Sequence, residues 1–150
     1  MKRSLQMQKL DEMLRSSKLV AGGFMGGDSR SVNEIIDADK TEVERLGRTL
    51  EEIAQRMRQI SDSAMTGLGT WITVDEKRRA MASQVKGALT CPWPHTGRFD
   101  KTVTTVEFID SGRVVRWSDL NIHLIEEHGF FEGKGATFRL DPEELTAAIF

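Results

Sequence analysis

The chain has 150 residues, of which 39% are hydrophobic and 29% charged, and its formal net charge is -2. That length suits one domain with its own core, the apolar fraction excludes wholesale disorder, and the near-neutral charge provides no general attraction for nucleic acid or anionic lipid. No stretch reaches the roughly 18 to 20 apolar residues of a membrane span, and Ser4-Leu5-Gln6-Met7-Gln8-Lys9 is too polar for a signal-peptide core.

Residues 4–16 place Leu5, Met7, Leu10, Met13 and Leu14 mostly three or four apart, which predicts a first amphipathic helix. Leu19 to Asp28 follow, with four glycines around Phe24-Met25, and predict a packed connecting loop. A phosphate cradle is the other use of such a loop, but the Gly-Lys-Ser/Thr ending is missing. Ser31 with Glu34 forms a capping box, and Val32, Ile35, Ile36, Val43 and Leu46 continue a helical stripe to Gly47. Asp37 and Asp39 are expected on or beside its solvent face. Thr49 with Glu52 opens a third helix bearing Leu50, Ile53, Ala54, Met57, Ile60 and Ala64, ended by Gly67 and Gly69.

The run Leu46 to Met57 resembles the first helix of a bacterial helix-turn-helix. Arg58 stands where that motif has its turn glycine, and the segment Asp62 to Gly69 lacks the basic and amide side chains that a reader helix needs. Ordinary helix-pair packing is the competing account.

From Trp71 the residues become β-type. Trp71-Ile72-Thr73-Val74 predicts a strand and Asp75 to Arg79 a polar turn. Residues 80–90 fit helix or strand, with the balance toward a strand running into Cys91. Lys77, Arg78, Arg79 and Lys86 form the densest basic cluster, read either as a solvated turn or as a nucleic-acid contact at 77–79. Lys101 to Ile109 and Arg113 to Trp117, joined by Asp110-Ser111-Gly112, predict a β-hairpin. Ser118-Asp119 starts a helix that ends at Gly129, Phe130 to Gly135 is a glycine-broken apolar loop, Phe138-Arg139-Leu140 a short strand, and Asp141-Pro142-Glu143-Glu144 opens a final helix docking Leu145, Ile149 and Phe150 on the sheet.

The only cysteine and all three histidines fall between residues 91 and 128, as Cys91-Pro-Trp-Pro-His95 and His123-Leu-Ile-Glu-Glu-His128. Thiolate and imidazole in two short pairs are the donor types that a tetrahedral zinc ion takes. Pro92 and Pro94 stiffen the first pair into a knuckle. The second pair is spaced about 140° apart around a regular helix, so its convergence is expected to require a loosened last turn at Gly129. The order of knuckle, hairpin and helix with paired histidines resembles the two-Cys two-His zinc finger. It differs in having one histidine for a cysteine, a knuckle placed before the hairpin, and a longer loop between pairs. The resemblance covers about a quarter of the chain and implies a structural ion.

Three other readings of these residues stay open. Cys91 can be a small buried hydrophobe and His128 a residue favoured at a helix C-terminus. His123 to His128 is one residue longer than the inverted zinc-peptidase pattern His-x-x-Glu-His. Cys91 as a nucleophile would need a histidine within reach and a low pKa. Glu126 and Glu127 are read as helix-surface charges or as partners of the ligands rather than general bases.

The sequence therefore predicts an α+β protein over residues 1–150: an N-terminal helical lobe of about three helices (about 1–66) packed on a small antiparallel sheet with two C-terminal helices (about 70–150). The expected function is a small non-enzymatic interaction or regulatory module with an unidentified protein partner, its β lobe stabilised by zinc on Cys91, His95, His123 and His128. A small metal-dependent hydrolase using the same ligands is the alternative. A single cysteine suits a reducing compartment, so a cytoplasmic location is expected.

Overall fold

The computed structural model describes residues 5–17, 22–95 and 97–150. Leu19, Val20 and Ala21 of the predicted glycine-rich loop, and Ser4 at the predicted start of the first helix, lie outside the described residues. The architecture is α+β, as expected. In chain order it runs α1 (Leu5–Arg15), α2 (Val32–Arg45), α3 (Leu50–Met65), β1 (Ile72–Asp75), β2 (Arg78–Thr90), β3 (Arg98–Phe108), β4 (Arg113–Ser118), α4 (Asp119–His128) and α5 (Pro142–Ile149). The strands form one antiparallel meander in the order β1-β2-β3-β4. Among the described residues no helix is long and apolar enough to cross a membrane.

The helix boundaries follow from the caps. Ser31 and Thr49 each accept a hydrogen bond from the N–H of the glutamate three residues on, whose carboxylate reaches back to the cap, so two orphan donors are satisfied at each start. Asp141 caps α5 with Pro142 at its first turn. Asp11 on α1 accepts from the Val32 N–H at 3.1 Å and pairs with Arg15 at 3.0 Å. One carboxylate thus joins α1 to the start of α2.

Two apolar clusters divide the interior. The first joins α3, β2, β3, β4, α4 and α5 through Ile53, Met57, Ile60, Ala80, Val106, Trp117, Ile125, Leu145 and Ile149. Inside it, the Trp117 indole donates to the Ser61 hydroxyl at 2.8 Å and Ser61 bonds Thr104 at 2.7 Å, which supplies the indole with the partner it needs when buried. The second contains Leu10, Leu14, Phe24, Met25, Val32, Ile35, Cys91, Leu120, Leu124 and Phe130. Helix α4 contributes to both.

Three expectations need correction. Asp39 is buried, 5% exposed, and pairs with Arg139; the helical stripe could not reveal a partner 100 residues away. Phe138 to Leu140 form no strand: Phe138 lies in a turn and Arg139-Leu140 are irregular, held by the Leu140 N–H on the Phe131 carbonyl at 3.1 Å. The basic turn shrinks to Glu76-Lys77. Arg78 begins β2, is 5% exposed, pairs with Asp75 at 2.9 Å and donates to the Ala148 carbonyl at 2.5 Å, while Arg79 pairs with Glu107 and covers the Trp71 ring. Two of the three basic side chains at 77–79 are thus engaged by partners within the molecule, Arg78 buried and Arg79 on the surface.

The glycine-rich loop is packed backbone to backbone against residues 133–135. Gly133 donates to the Phe24 carbonyl at 2.8 Å and Gly27 to the Lys134 carbonyl at 3.1 Å. A Cβ at Gly133 would lie 2.3 Å from the Met25 carbonyl oxygen, and one at Gly26 2.3 Å from the Ala136 nitrogen. Close approach of two segments of the chain accounts for these glycines. Asp28 seals the junction by accepting from the Lys134 N–H and pairing with Arg30, whose guanidinium holds its carboxyl well below the usual carboxylate range.

Candidate metal centre

The knuckle at residues 91–95 precedes the β3–β4 hairpin, as expected, and is also the tip of the β2–β3 hairpin. Cys91 follows directly on β2 and is 3% exposed. The His95 N–H donates to the Trp93 carbonyl at 2.8 Å. The Pro-Trp-Pro segment thus curls back, and the donor atoms of residues 91 and 95 face the same point. His123 and His128 come from α4, which Ser118 starts through a capping box with Asn121 and Gly129 ends in the left-handed conformation (φ 65°). The Gly129 and Phe130 N–H groups bond the Ile125 and Leu124 carbonyls at 3.0 Å, a closing motif that favours glycine.

All four predicted ligands meet. Their donor atoms lie within 4.8 Å of one another, close enough to hold one metal ion. His95 Nε2 is 3.2 Å from both His123 Nε2 and His128 Nε2, and Cys91 Sγ is 3.5 Å from His128 Nε2. A tetrahedral ion with bonds of about 2.0–2.1 Å to nitrogen and about 2.3 Å to sulfur sets edges of about 3.3 Å between nitrogens and about 3.6 Å between nitrogen and sulfur. The three measured edges match those values. Mutual hydrogen bonding accounts for them poorly, because an imidazole nitrogen offers one N–H or one lone pair, and His95 Nε2 has two such neighbours. A cation at the centre takes one lone pair from each.

The expected loosening of the last helical turn does not occur: α4 is helical through His128. The two rings instead stand nearly perpendicular, at 83° with centroids 5.2 Å apart, and with His95, whose centroid is 5.0 and 5.3 Å from theirs, they form a triangle whose Nε2 atoms converge. No family model matches the chain, and no curated protein or solved structure matches it significantly. The chemistry of the centre therefore rests on its geometry.

Two aromatic side chains absent from the predicted site hold the ligands in place. Trp93 stacks on His128 and meets Phe130 edge-on at 5.6 Å; Phe99 packs on His123 with centroids 4.4 Å apart. The two prolines marked Trp93 as rigid, but nothing in the sequence indicated which ring it would cover.

Burial pushes the His128 pKa down to about 4 and lowers that of His123, with neighbouring imidazoles adding to both effects. These rings are thus neutral near pH 7, the form in which an imidazole can bind a metal ion. Burial raises the Cys91 thiol, against the Trp93 N–H that favours the thiolate; a cation would have to displace that proton. For nucleophilic catalysis the histidine is within reach, but the thiol is buried and its pKa moves the wrong way. Glu126 is paired with Arg58 at 3.1 Å and Glu127 is exposed, in keeping with helix-surface charges.

Proposed function

We propose that this chain is a small non-enzymatic interaction or regulatory module of the cytoplasm whose β half is held by a structural zinc ion bound to Cys91, His95, His123 and His128. The observation that carries the reading is the convergence of one thiol and three imidazole nitrogens within 4.8 Å of one another, with three of the six edges at tetrahedral lengths. Borderline-soft N and S donors in that geometry favour zinc over the hard, oxygen-seeking cations. Four side chains around the ion leave no position for the water that a zinc hydrolase activates, and the Arg58 pair occupies one of the two nearby glutamates. Both points support a structural role over the hydrolase alternative. The partner is a protein of unspecified identity.

The test is elemental analysis of the chain purified without added metal, followed by X-ray absorption at the zinc edge. One zinc per chain with a single sulfur and three nitrogens in its shell supports the proposal. A shell with a bound water in place of a side chain favours the hydrolase. Substoichiometric metal, with melting unchanged by chelator, overturns both.

A further inference from the structure

We propose that the metal is a latch: its binding closes the outer half of the β2–β3 ribbon over the second apolar cluster, and its loss releases that half as a unit while the first cluster stays folded. This rests on the metal centre proposed above.

The neighbours of the ribbon run out early. β1 pairs with β2 only at Arg78, Arg79 and Ala80, and β4 pairs with β3 from Phe108 back to Val103. Beyond those points β2 and β3 pair only with each other, out to Thr90 and Arg98. An isolated two-stranded ribbon is marginal in water. This one is further weakened by a bulge between Val85 and Ala88, with Gly87 at φ 112°, where the pairing is interrupted and the strand bends.

Between the base of that half and its tip, Thr102 on β3 is the one buried side chain among the described residues. Ser83 to Gly87 are all exposed, Val85 at 57%. The anchor is at the tip, where Cys91 is buried and Leu89, Trp93 and Phe99 pack on the second cluster. No described residue between 83 and 103 belongs to the first cluster. The floor beneath the tip is independently fixed, since α4 is capped at both ends and sends Ile122 and Ile125 into the first cluster. Two ligands ride on the movable tip and two on the fixed helix, so one ion bridges the junction between them. Opening uncovers Leu120, Leu124 and Phe130, and metal supply thereby controls an apolar surface.

Hydrogen exchange of the full chain, loaded with zinc and then stripped by chelator, tests the latch. Removing zinc is expected to speed exchange across 83–103 about tenfold or more while residues 53–64 and 143–149 change less than about twofold. His95→Ala, which deletes an exposed ligand and leaves no core cavity, is expected to reproduce the open pattern with zinc present. If one zinc binds per chain yet exchange across 83–103 is the same with and without it, or if 53–64 and 143–149 lose protection equally, the latch is wrong and the metal centre stands. If no zinc is retained, both fall.

Discussion

The indole of Trp93 lies flat on the imidazole of His128, with centroids 4.1 Å apart and planes 7° from parallel. Stacking fixes the plane of a ligand whose nitrogen must aim at one point, and such outer contacts typically account for 10- to 100-fold in metal affinity. Trp93→Ala is expected to weaken zinc binding by about that factor without changing its stoichiometry, as read by competition with a chelator of known affinity. Unchanged affinity would reduce the stack to simple packing.

Cys91 and His128 are 37 residues apart, and cross-linking a loop of that size restricts the unfolded chain by about 4 kcal/mol. For a chain of this length that corresponds to roughly 10 °C in melting temperature. Zinc-loaded protein is expected to melt higher than stripped protein by that order in a calorimetric scan. His123→Ala should abolish the difference.

Asp39 and Arg139 form a buried pair between α2 and the segment before α5, and Arg139 also donates to the Glu132 carbonyl at 2.8 Å. Asp39→Asn leaves a buried guanidinium without its charge partner and is expected to cost about 3–5 kcal/mol in denaturant unfolding. Replacing both residues by leucine should cost less than the sum of the single losses, since no unpaired charge remains.

Burial raises the Glu132 carboxyl from 4.5 to about 7, against the opposing effects of the Asn121 amide, which donates to it at 2.9 Å, and of Arg139. A folded pKa above the unfolded value means that its contribution to stability is complete below pH 4.5 and is lost as pH rises through about 7. Glu132→Gln is therefore expected to exceed the parent in stability at pH 8 by roughly 3 kcal/mol at most and to show no such gain at pH 4. The comparison must be with the parent at each pH, because His123 and His128, with lowered pKa values, contribute the opposite slope as the medium turns acidic.

Gly133 and Gly27 lie in the same interlocked pair of loops but differ in the space around them. A methyl group at Gly133 meets Met25 backbone at 2.3–2.8 Å, whereas one at Gly27 meets nothing within 4 Å. Gly133→Ala is expected to lose about 2 kcal/mol or more by forcing the two loops apart. Gly27→Ala should stay within about 0.5 kcal/mol, and equal losses in chemical unfolding would remove the interlock from the account.

Features that depend on neighbours in sequence were legible. The capping boxes at Ser31 and Thr49, the proline start at Pro142 and the β3–β4 turn each draw their chemistry from residues a few positions apart. The four candidate ligands were legible for a different reason: cysteine and histidine are rare here, and crowding of rare residue types survives without any knowledge of the fold. Contacts between distant segments were not. Asp39 looks like any helix-surface acid until Arg139 is placed against it, and Arg78 looks like a turn residue until the Ala148 carbonyl reaches it. Backbone angle alone sets His123 and His128 apart, because it leaves out the reach of the imidazole from the helix to a common point shared with His95.

Past Ala80 the outward edge of β2 has no adjoining strand, and bare edges of that kind invite other copies to stack on them. Lys86 and the kink at Gly87 stand in that edge like gatekeepers, one by charge and one by bending the strand. Lys86→Val, which removes the charge and leaves the bend at Gly87 in place, would show less in a melting curve than in the tendency to build fibrils at high concentration.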